Sequence, residues 1–272
     1  MPGIAEHDRQ QRILRMLEKT GRVEVPELVE RFAVSAVTVR KDLELLERRH
    51  LLRRVRGGAV PADGADEGAF ELRLRHSVAA KQAIAQRAAT YVRDGDTIAL
   101  DCSTTCYYLA LELRRRRSLV VVTNGLRVAD ALSESDSVLV VIPGGTVRRS
   151  SQSVVGDFGD VFATRGRLNR GFFGLRSLSP AHGLMEMSSE ETAVKKRLAA
   201  ACSEVYGLFD SSKVGRFALY SFTPPDRITA LITDDGVDGE TVREWSELGV
   251  RVERVSPRPD KDDNVVDLAV DR

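Results

Sequence analysis

The residues best suited to chemistry stand in short groups at the ends of apolar runs. Asp101-Cys102-Ser103-Thr104-Thr105 follows Thr97-Ile98-Ala99-Leu100 and opens a helical stretch that runs through Leu113. Hydroxyls and free backbone N–H groups at a helix start suit a phosphate. The same hydroxyls would equally serve as plain helix caps, and without a G-K-[ST] string this is not a Walker loop. Thr123-Asn124-Gly125 and Pro143-Gly144-Gly145-Thr146 end two further apolar runs. Asp210-Ser211-Ser212-Lys213 ends a fourth, where Lys213 would supply a cation for phosphate and Asp210 would bond sugar hydroxyls or hold Lys213. Glu191 stands alone, as a ligand contact, a base or a helix-start charge.

A second chemistry is offered near the N-terminus. Arg48, Arg49, Arg53, Arg54 and Arg56 lie within one short segment that contains no acid. Such a segment neutralises nucleic-acid phosphate, which gives affinity without sequence information. Just before it, Ala36, Val37, Thr38, Arg40 and Lys41 form an exposed face of types that read base edges or touch a thymine methyl. Asp42 sits among them and is expected to pair with a neighbouring Arg or Lys and orient it.

These groups need elements to hold them. Ile13, Leu14, Met16 and Leu17 among charges read as an amphipathic helix over 8–19. Pro26 starts a second short helix that buries Leu28, Val29 and Phe32. Ser35 is the N-cap of a third, running to about Arg49, with Val39, Leu43 and Leu46 on its core face. Leu51 to Arg56 is extended and Gly57-Gly58 turns it back. Three helices and a basic ribbon make a winged helix-turn-helix, whose third helix enters the major groove. Beyond about residue 71, apolar runs at 97–100, 119–122, 138–142 and 230–232 alternate with helical stretches, which argues for a mostly parallel sheet covered on both faces. Ligands in such sheets sit beyond the carboxyl ends of the strands.

Composition agrees. The chain has 272 residues, 42% hydrophobic and 30% charged, enough for two domains with real cores. Residues 1–60 carry 13 Lys+Arg against 9 Asp+Glu, whereas the remainder is mildly acidic. A small basic head on an acidic body implies a polyanionic partner for the head. No apolar run reaches the roughly 20 residues of a membrane helix, and the N-terminus has no secretory signal core, so the expected place is the cytoplasm. Cys102, Cys106 and Cys202 make no disulfide framework, and scattered histidines leave them no metal partners.

The stretch Arg12 to Ala59 resembles the DNA-binding domain of DeoR-type bacterial regulators. Val34-Ser35-Ala36-Val37-Thr38-Val39-Arg40-Lys41-Asp42-Leu43 follows the V-S-x-x-T-I-R-R-D-L signature, and Arg53 to Ala59 follows the R-x-H-G-G-A wing with Arg56 in place of His. The resemblance continues over about 77–235: Lys81 with Ile84-Ala85, Asp94-Gly95-Asp96, Asp101 to Thr105, Thr123-Asn124, Gly144-Gly145, Gly156, Gly183, Glu191 with Lys195, and Asp210 to Lys213. It implies a sensor domain similar in fold to ribose-5-phosphate isomerase that binds phosphorylated sugars or their breakdown products. Ser103 stands where the loop usually has glycine, and Arg176 where small or acidic residues are commoner; a side chain at 103 narrows the pocket, and Arg176 is a further phosphate contact.

The expected organisation is a winged head at 1–60, a linker at 61–75, an α/β effector-binding domain at 76–255 and an unstructured tail at 256–272. The expected function is DNA-binding transcription regulation, as a repressor of carbohydrate genes controlled by a phosphorylated sugar. Its partners would be a double-stranded operator, the effector and a second copy, because one head reads few base pairs. No cofactor and no metal are expected. The expected DNA contacts are Ser35, Val37, Thr38, Arg40, Lys41, Arg48, Arg53, Arg54 and Arg56. The expected effector contacts are Asp101, Ser103, Thr104, Thr105, Asn124, Gly144, Gly145, Glu191, Asp210 and Lys213. The rival is a sugar-phosphate isomerase, prompted by Asp63-Gly64-Ala65-Asp66-Glu67, a string such isomerases carry. Here the string precedes Asp101 and no apolar strand supports it, so its carboxylates lack the rigid placement that proton transfer needs. A binder of DNA with no effector is a third possibility, weakened by the size of the second domain.

Overall fold

The computed structural model describes residues 9–257, except positions 11, 15, 18, 19, 21, 49–51, 61–69, 157–167 and 217. In the head, helical residues between 9 and 20 precede β1 (Val23–Glu24), a helix at Val25–Phe32, a second at Ala36–Arg48, and the hairpin β2 (Arg53–Val55) and β3 (Gly58–Val60). Pro26 lies in the first turn of its helix, where its missing N–H costs nothing. Ala33, in the left-handed region at φ 51°, ends that helix. The Ser35 hydroxyl accepts the Thr38 N–H at 3.1 Å, so it starts the next helix as expected of it. Ile13, Leu14, Leu28, Val39, Leu43, Leu46 and Ala59 close into one core. The ribbon is pinned by a three-stranded sheet of order β1-β3-β2. Gly58 is obligatory there, because a Cβ would lie 2.0 Å from the Val23 carbonyl oxygen.

Of the interval expected to link head and body, residues 61–69 fall outside the described set, and Phe70–Arg75 is a short helix. Most of the expected tail, from 258 on, is likewise outside it.

The body is built on a seven-stranded parallel sheet of order β15-β14-β12-β9-β4-β5-β6. These strands are Arg251–Val255, Ala230–Asp234, Cys202–Leu208, Leu168–Gly174, Thr97–Leu100, Leu119–Thr123 and Val138–Val141. Their continuous apolar runs follow from burial on both faces. Ile98, Leu100, Val121 and Phe172 enter one core with the helices Val78–Ala89, Thr104–Leu113 and Leu126–Ser133. Ala99, Val122 and Phe173 enter the other, with Ser189–Ala201 and Gly239–Glu247. Two smaller sheets sit at the margin: the hairpin β7 (Thr146–Arg148) and β8 (Ser153–Val155), and a sheet of order β10-β11-β13 from Ser177–Ser179, Gly183–Glu186 and Tyr220–Thr223. No helix among the described residues is long and apolar enough to cross a membrane.

Sequence order runs from β4 outward in both directions, to β5 and β6 on one side and to β9, β12, β14 and β15 on the other. This makes the carboxyl end of β4 a topological switch point, where neighbouring connections part and leave a crevice. Asp101 to Thr105 is the loop at that point.

Candidate DNA-binding face and effector site

In the head, Val37 is 73% exposed, and Arg40, Lys41, Arg48, Arg53, Arg54 and Arg56 all face solvent. Thr38 is half-buried and its hydroxyl bonds that of Ser35 at 2.9 Å. Arg40, Arg54 and Arg56 line a groove between the Ala36–Arg48 helix and the ribbon. Arg49 lies outside the described residues.

Three features correct the reading of this face. Asp42 orients no neighbouring base-reading cation; it is 1% exposed and takes two bonds from Arg9, at 2.5 and 3.1 Å, and one from Gln10 at 3.1 Å. It therefore ties the first helix to the third from inside. Arg48 pairs with Glu44 at 2.6 Å, one helical turn back. Arg54 pairs with Glu47 at 2.6 Å and also gives Glu47 its backbone N–H at 2.8 Å. That backbone bond, followed by the guanidinium, holds the Glu47 carboxyl below the usual range. The arginine segment contains no acid, but the fold folds two acids back onto it.

In the body, the switch-point loop is assembled from several strands. Ser103 donates its N–H to Asp101 Oδ1 at 2.9 Å, and its hydroxyl accepts the Cys106 N–H at 3.1 Å. The Ser103 hydroxyl thus acts as a helix cap. Gly174 makes room for it, since a Cβ at 174 would fall 2.3 Å from the Ser103 Cβ. Thr104 and Thr105 occupy the first turn, buried, and among the described residues neither hydroxyl bonds another protein group.

Beneath the loop lies a buried polar cluster. Lys195, 3% exposed at its side chain, reaches Asp101 Oδ2 at 2.9 Å, Glu186 Oε1 at 2.5 Å and the Gly174 carbonyl at 2.9 Å. Burial opposes its charge, but the two carboxylates together outweigh that and hold its pKa well above the ordinary lysine value. Glu191 is 4% exposed and accepts from Ser151 at 2.8 Å, from the Ser153 hydroxyl, from Asn124 Nδ2 at 3.2 Å and from Cys102 at 3.3 Å. Both of its oxygens are occupied, so it organises the loop and is no free base. Burial, then the Glu191 and Asp101 charges, push the Cys102 thiol well up, which keeps it a protonated donor. Asn124 is fully buried, and among the described residues its Oδ1 has no partner.

The structure thus brings Asp101, Ser103, Thr104, Thr105, Asn124 and Glu191 together. It places Asp210 and Lys213 two strands to one side, beyond β12, and Gly144 and Gly145 two strands to the other, beyond β6. At roughly 4.8 Å per strand, β12 and β6 themselves each lie about 10 Å from β4. Asp210 is buried and holds its own turn by accepting the Ser212 N–H at 3.2 Å. Lys213 is half-buried at the end of that turn, while Gly144 and Gly145 are exposed. Glu186, Lys195, Ser151 and Ser153 were not among the expected contacts. The four-residue spacing of Glu191 and Lys195 puts them on one helix face and could have signalled the cluster. Nothing in the spacing of Ser151 and Ser153 marks them; the β7–β8 hairpin delivers them. The string Asp63 to Glu67 lies outside the described residues.

Comparison with known proteins follows this division. A profile described as a DeoR-like helix-turn-helix domain matches residues 9–64, and one described as the DeoR C terminal sensor domain matches 76–235. The HTH-type transcriptional regulator GolR of Listeria innocua is 31% identical over 246 residues, covering 90% of this chain and 97% of that protein. The lactose phosphotransferase system repressor of Streptococcus mutans is 34% identical over 85% of this chain and 93% of its own. A protein named as putative aga operon transcriptional repressor, from Escherichia coli O157:H7, is 29% identical over 90% and 92%. Among solved structures, ribose 5 phosphate isomerase A from Neisseria gonorrhoeae overlaps 49% of this chain and 52% of its own at 15% identity with a TM-score of 0.38. So partial an overlap bears on neither activity nor ligand.

Proposed function

Because the chain belongs to the DeoR family of DNA-binding transcriptional regulators, we propose that it represses genes of carbohydrate use and leaves DNA when a phosphorylated sugar binds at the carboxyl end of β4. The observation that carries this reading is the switch-point loop, with Thr104 and Thr105 at a helix start and their hydroxyls uncommitted. The buried cluster beneath holds three carboxylates, Asp101, Glu186 and Glu191; the Lys195 ammonium pairs with the first two, and the Arg148 guanidinium stands 3.8 Å from Glu191. A phosphate cannot enter among those acids. It belongs on the outer side, at the N–H groups and hydroxyls of Thr104 and Thr105, with Lys213 as the countercharge. The orphaned Asn124 oxygen is an acceptor for a sugar hydroxyl.

In the head, Ser35, Val37, Thr38, Arg40, Lys41, Arg53 and Arg56 contact DNA directly, and Arg48 and Arg54 do so by exchanging their glutamate partners for phosphate. The protein works in the cytoplasm as a homo-oligomer, since repeated half-sites need more than one head. The isomerase reading is set aside, because the named regulators align over about nine-tenths of the chain. Two measurements test the proposal together: a thermal-shift screen with pentose and hexose phosphates, and release of the protein from duplex DNA by whichever compounds shift it. Turnover of a sugar phosphate, or shifts without any change in DNA affinity, would overturn it.

A further inference from the structure

The helix Phe70–Arg75 touches both halves of the molecule. Leu72 packs against the core of the head. On the body side, the buried Phe70 ring meets Tyr107 edge-on at 5.9 Å. The Phe70 N–H donates to the Ser150 carbonyl at 2.9 Å, and the Leu74 carbonyl accepts from the Tyr108 hydroxyl at 3.2 Å. Lys81, itself buried, closes the far end by donating to the carbonyls of Arg73 and His76.

Three of the body contacts, those of Tyr107, Tyr108 and Ser150, lead back to the switch-point site. Tyr107 and Tyr108 lie on the helix whose first residues are Thr104 and Thr105. Ser150 precedes Ser151, which bonds Glu191 at 2.8 Å. Arg73 brings its charge near enough to Cys102, in the loop itself, to act on that thiol. The site is therefore wired to the same short helix from two directions.

Length makes this helix responsive. It has six residues, whereas an isolated helix shorter than about 12–15 is marginal in water. Its contacts are what hold it in place, so moving either anchor moves the helix, and Leu72 with it.

We propose that Phe70–Arg75 is the transmission element through which occupancy of the effector site alters the DNA-binding head, with Leu72 as its point of delivery. The proposal rests on the reading of the Asp101–Thr105 site given above. A ligand drawn onto Thr104 and Thr105 repositions the helix carrying Tyr107 and Tyr108, and one that disturbs the bonds to Glu191 repositions Ser150. Either change biases the pose of Phe70–Arg75, and the head responds through Leu72.

The test needs no identified effector. Amide hydrogen exchange is followed on the full chain in four forms: unaltered, Ser151→Ala, Leu72→Ala and the double variant. Ser151→Ala is expected to change exchange at Phe70–Arg75 and also, by about fivefold or more, in the Ala36–Arg48 helix. In the Leu72→Ala background, Ser151→Ala still alters Phe70–Arg75 but no longer alters the head. Leu72→Met, which keeps an apolar contact, restores the head's response and guards against misreading a damaged head. Unchanged exchange in Ala36–Arg48 on Ser151→Ala overturns the proposal, and so does an equal response with and without Leu72. A chain that passes this cycle yet binds no sugar phosphate contradicts only the reading of the ligand. One that binds sugar phosphates yet fails the cycle contradicts only the transmission element.

Discussion

Two lysines show why residue type alone does not define a role. Lys195 is enclosed by Asp101, Glu186 and the Gly174 carbonyl. Lys195→Met would remove the ammonium that the two buried carboxylates share, which typically costs about 3–5 kcal/mol. Chemical denaturation of variant and parent measures it. The pH dependence follows from the direction of the shift. Since the folded pKa lies above the unfolded one, the stabilisation is fully present below the unfolded value of about 10.4 and is lost only as pH rises toward the folded value. The difference between parent and variant should therefore be flat from pH 7 to about 10; a difference that vanishes in that window would mean the ion pairs do not hold the cluster. Lys213 is half-buried at the end of a turn that Asp210 holds through its own bonds. Lys213→Ala is expected to leave DNA binding intact and to abolish release by sugar phosphates. A charge-assisted bond to phosphate is worth roughly twice a neutral one, and an effector shifts DNA affinity only by its differential binding to the two states. Operator binding with and without sugar phosphate checks this. Equal release by variant and parent would make Lys213 a surface lysine, and lost DNA binding would make it structural.

At the scale of elements, what was legible in the sequence is what local chemistry determines. Ser35 before Val39, Leu43 and Leu46 announces a capped helix with one apolar face, and the structure has that helix at Ala36–Arg48 with the Ser35 hydroxyl on the Thr38 N–H. Ser35→Ala removes the cap and should cost about 0.5–2 kcal/mol of stability, read as a lower denaturation midpoint with an unchanged slope. A cost near zero would show that Thr38, whose hydroxyl bonds Ser35, takes over the cap. The apolar runs at 97–100 and 119–122 likewise announce buried parallel strands, because residues such as Ile98 and Ala99 must enter opposite cores. Long-range partners were not legible. Nothing near Asp42 in sequence points to Arg9, which lies 33 residues away. Nothing in a run of arginines shows that Glu47 closes on Arg54 across the turn between helix and ribbon. The Glu191 cluster joins a loop after β4, a strand end after β5, a hairpin and a helix, and only the closed sheet brings the four together.

At the scale of the whole molecule, Glu44 and Glu47 set how strongly the protein senses salt. Each phosphate neutralised on binding contributes about −0.9 to the slope of log K against log salt. If Arg48 and Arg54 stayed with Glu44 and Glu47, Arg40, Lys41, Arg53 and Arg56 would be left for phosphate, giving about −7 for two heads. If both pairs open on DNA, about two more phosphates per head are engaged and the slope approaches about −11. Both pairs are substantially exposed, with Arg48 72% and Arg54 43% accessible. Exposed pairs are worth little, typically about 0–1 kcal/mol, whereas a DNA phosphate offers a stronger and more concentrated charge. The steeper slope is therefore expected, along with a specific effect of the glutamates. Glu44→Gln and Glu47→Gln release their arginines in advance, so binding should tighten on any duplex sequence while the slope changes little. Filter binding or fluorescence anisotropy across a salt series, on one chosen duplex and one of scrambled sequence, separates the two cases. A slope of about −7 that steepens by about 2 in each glutamate variant would mean the pairs persist on DNA and the arginine segment is a partly neutralised clamp.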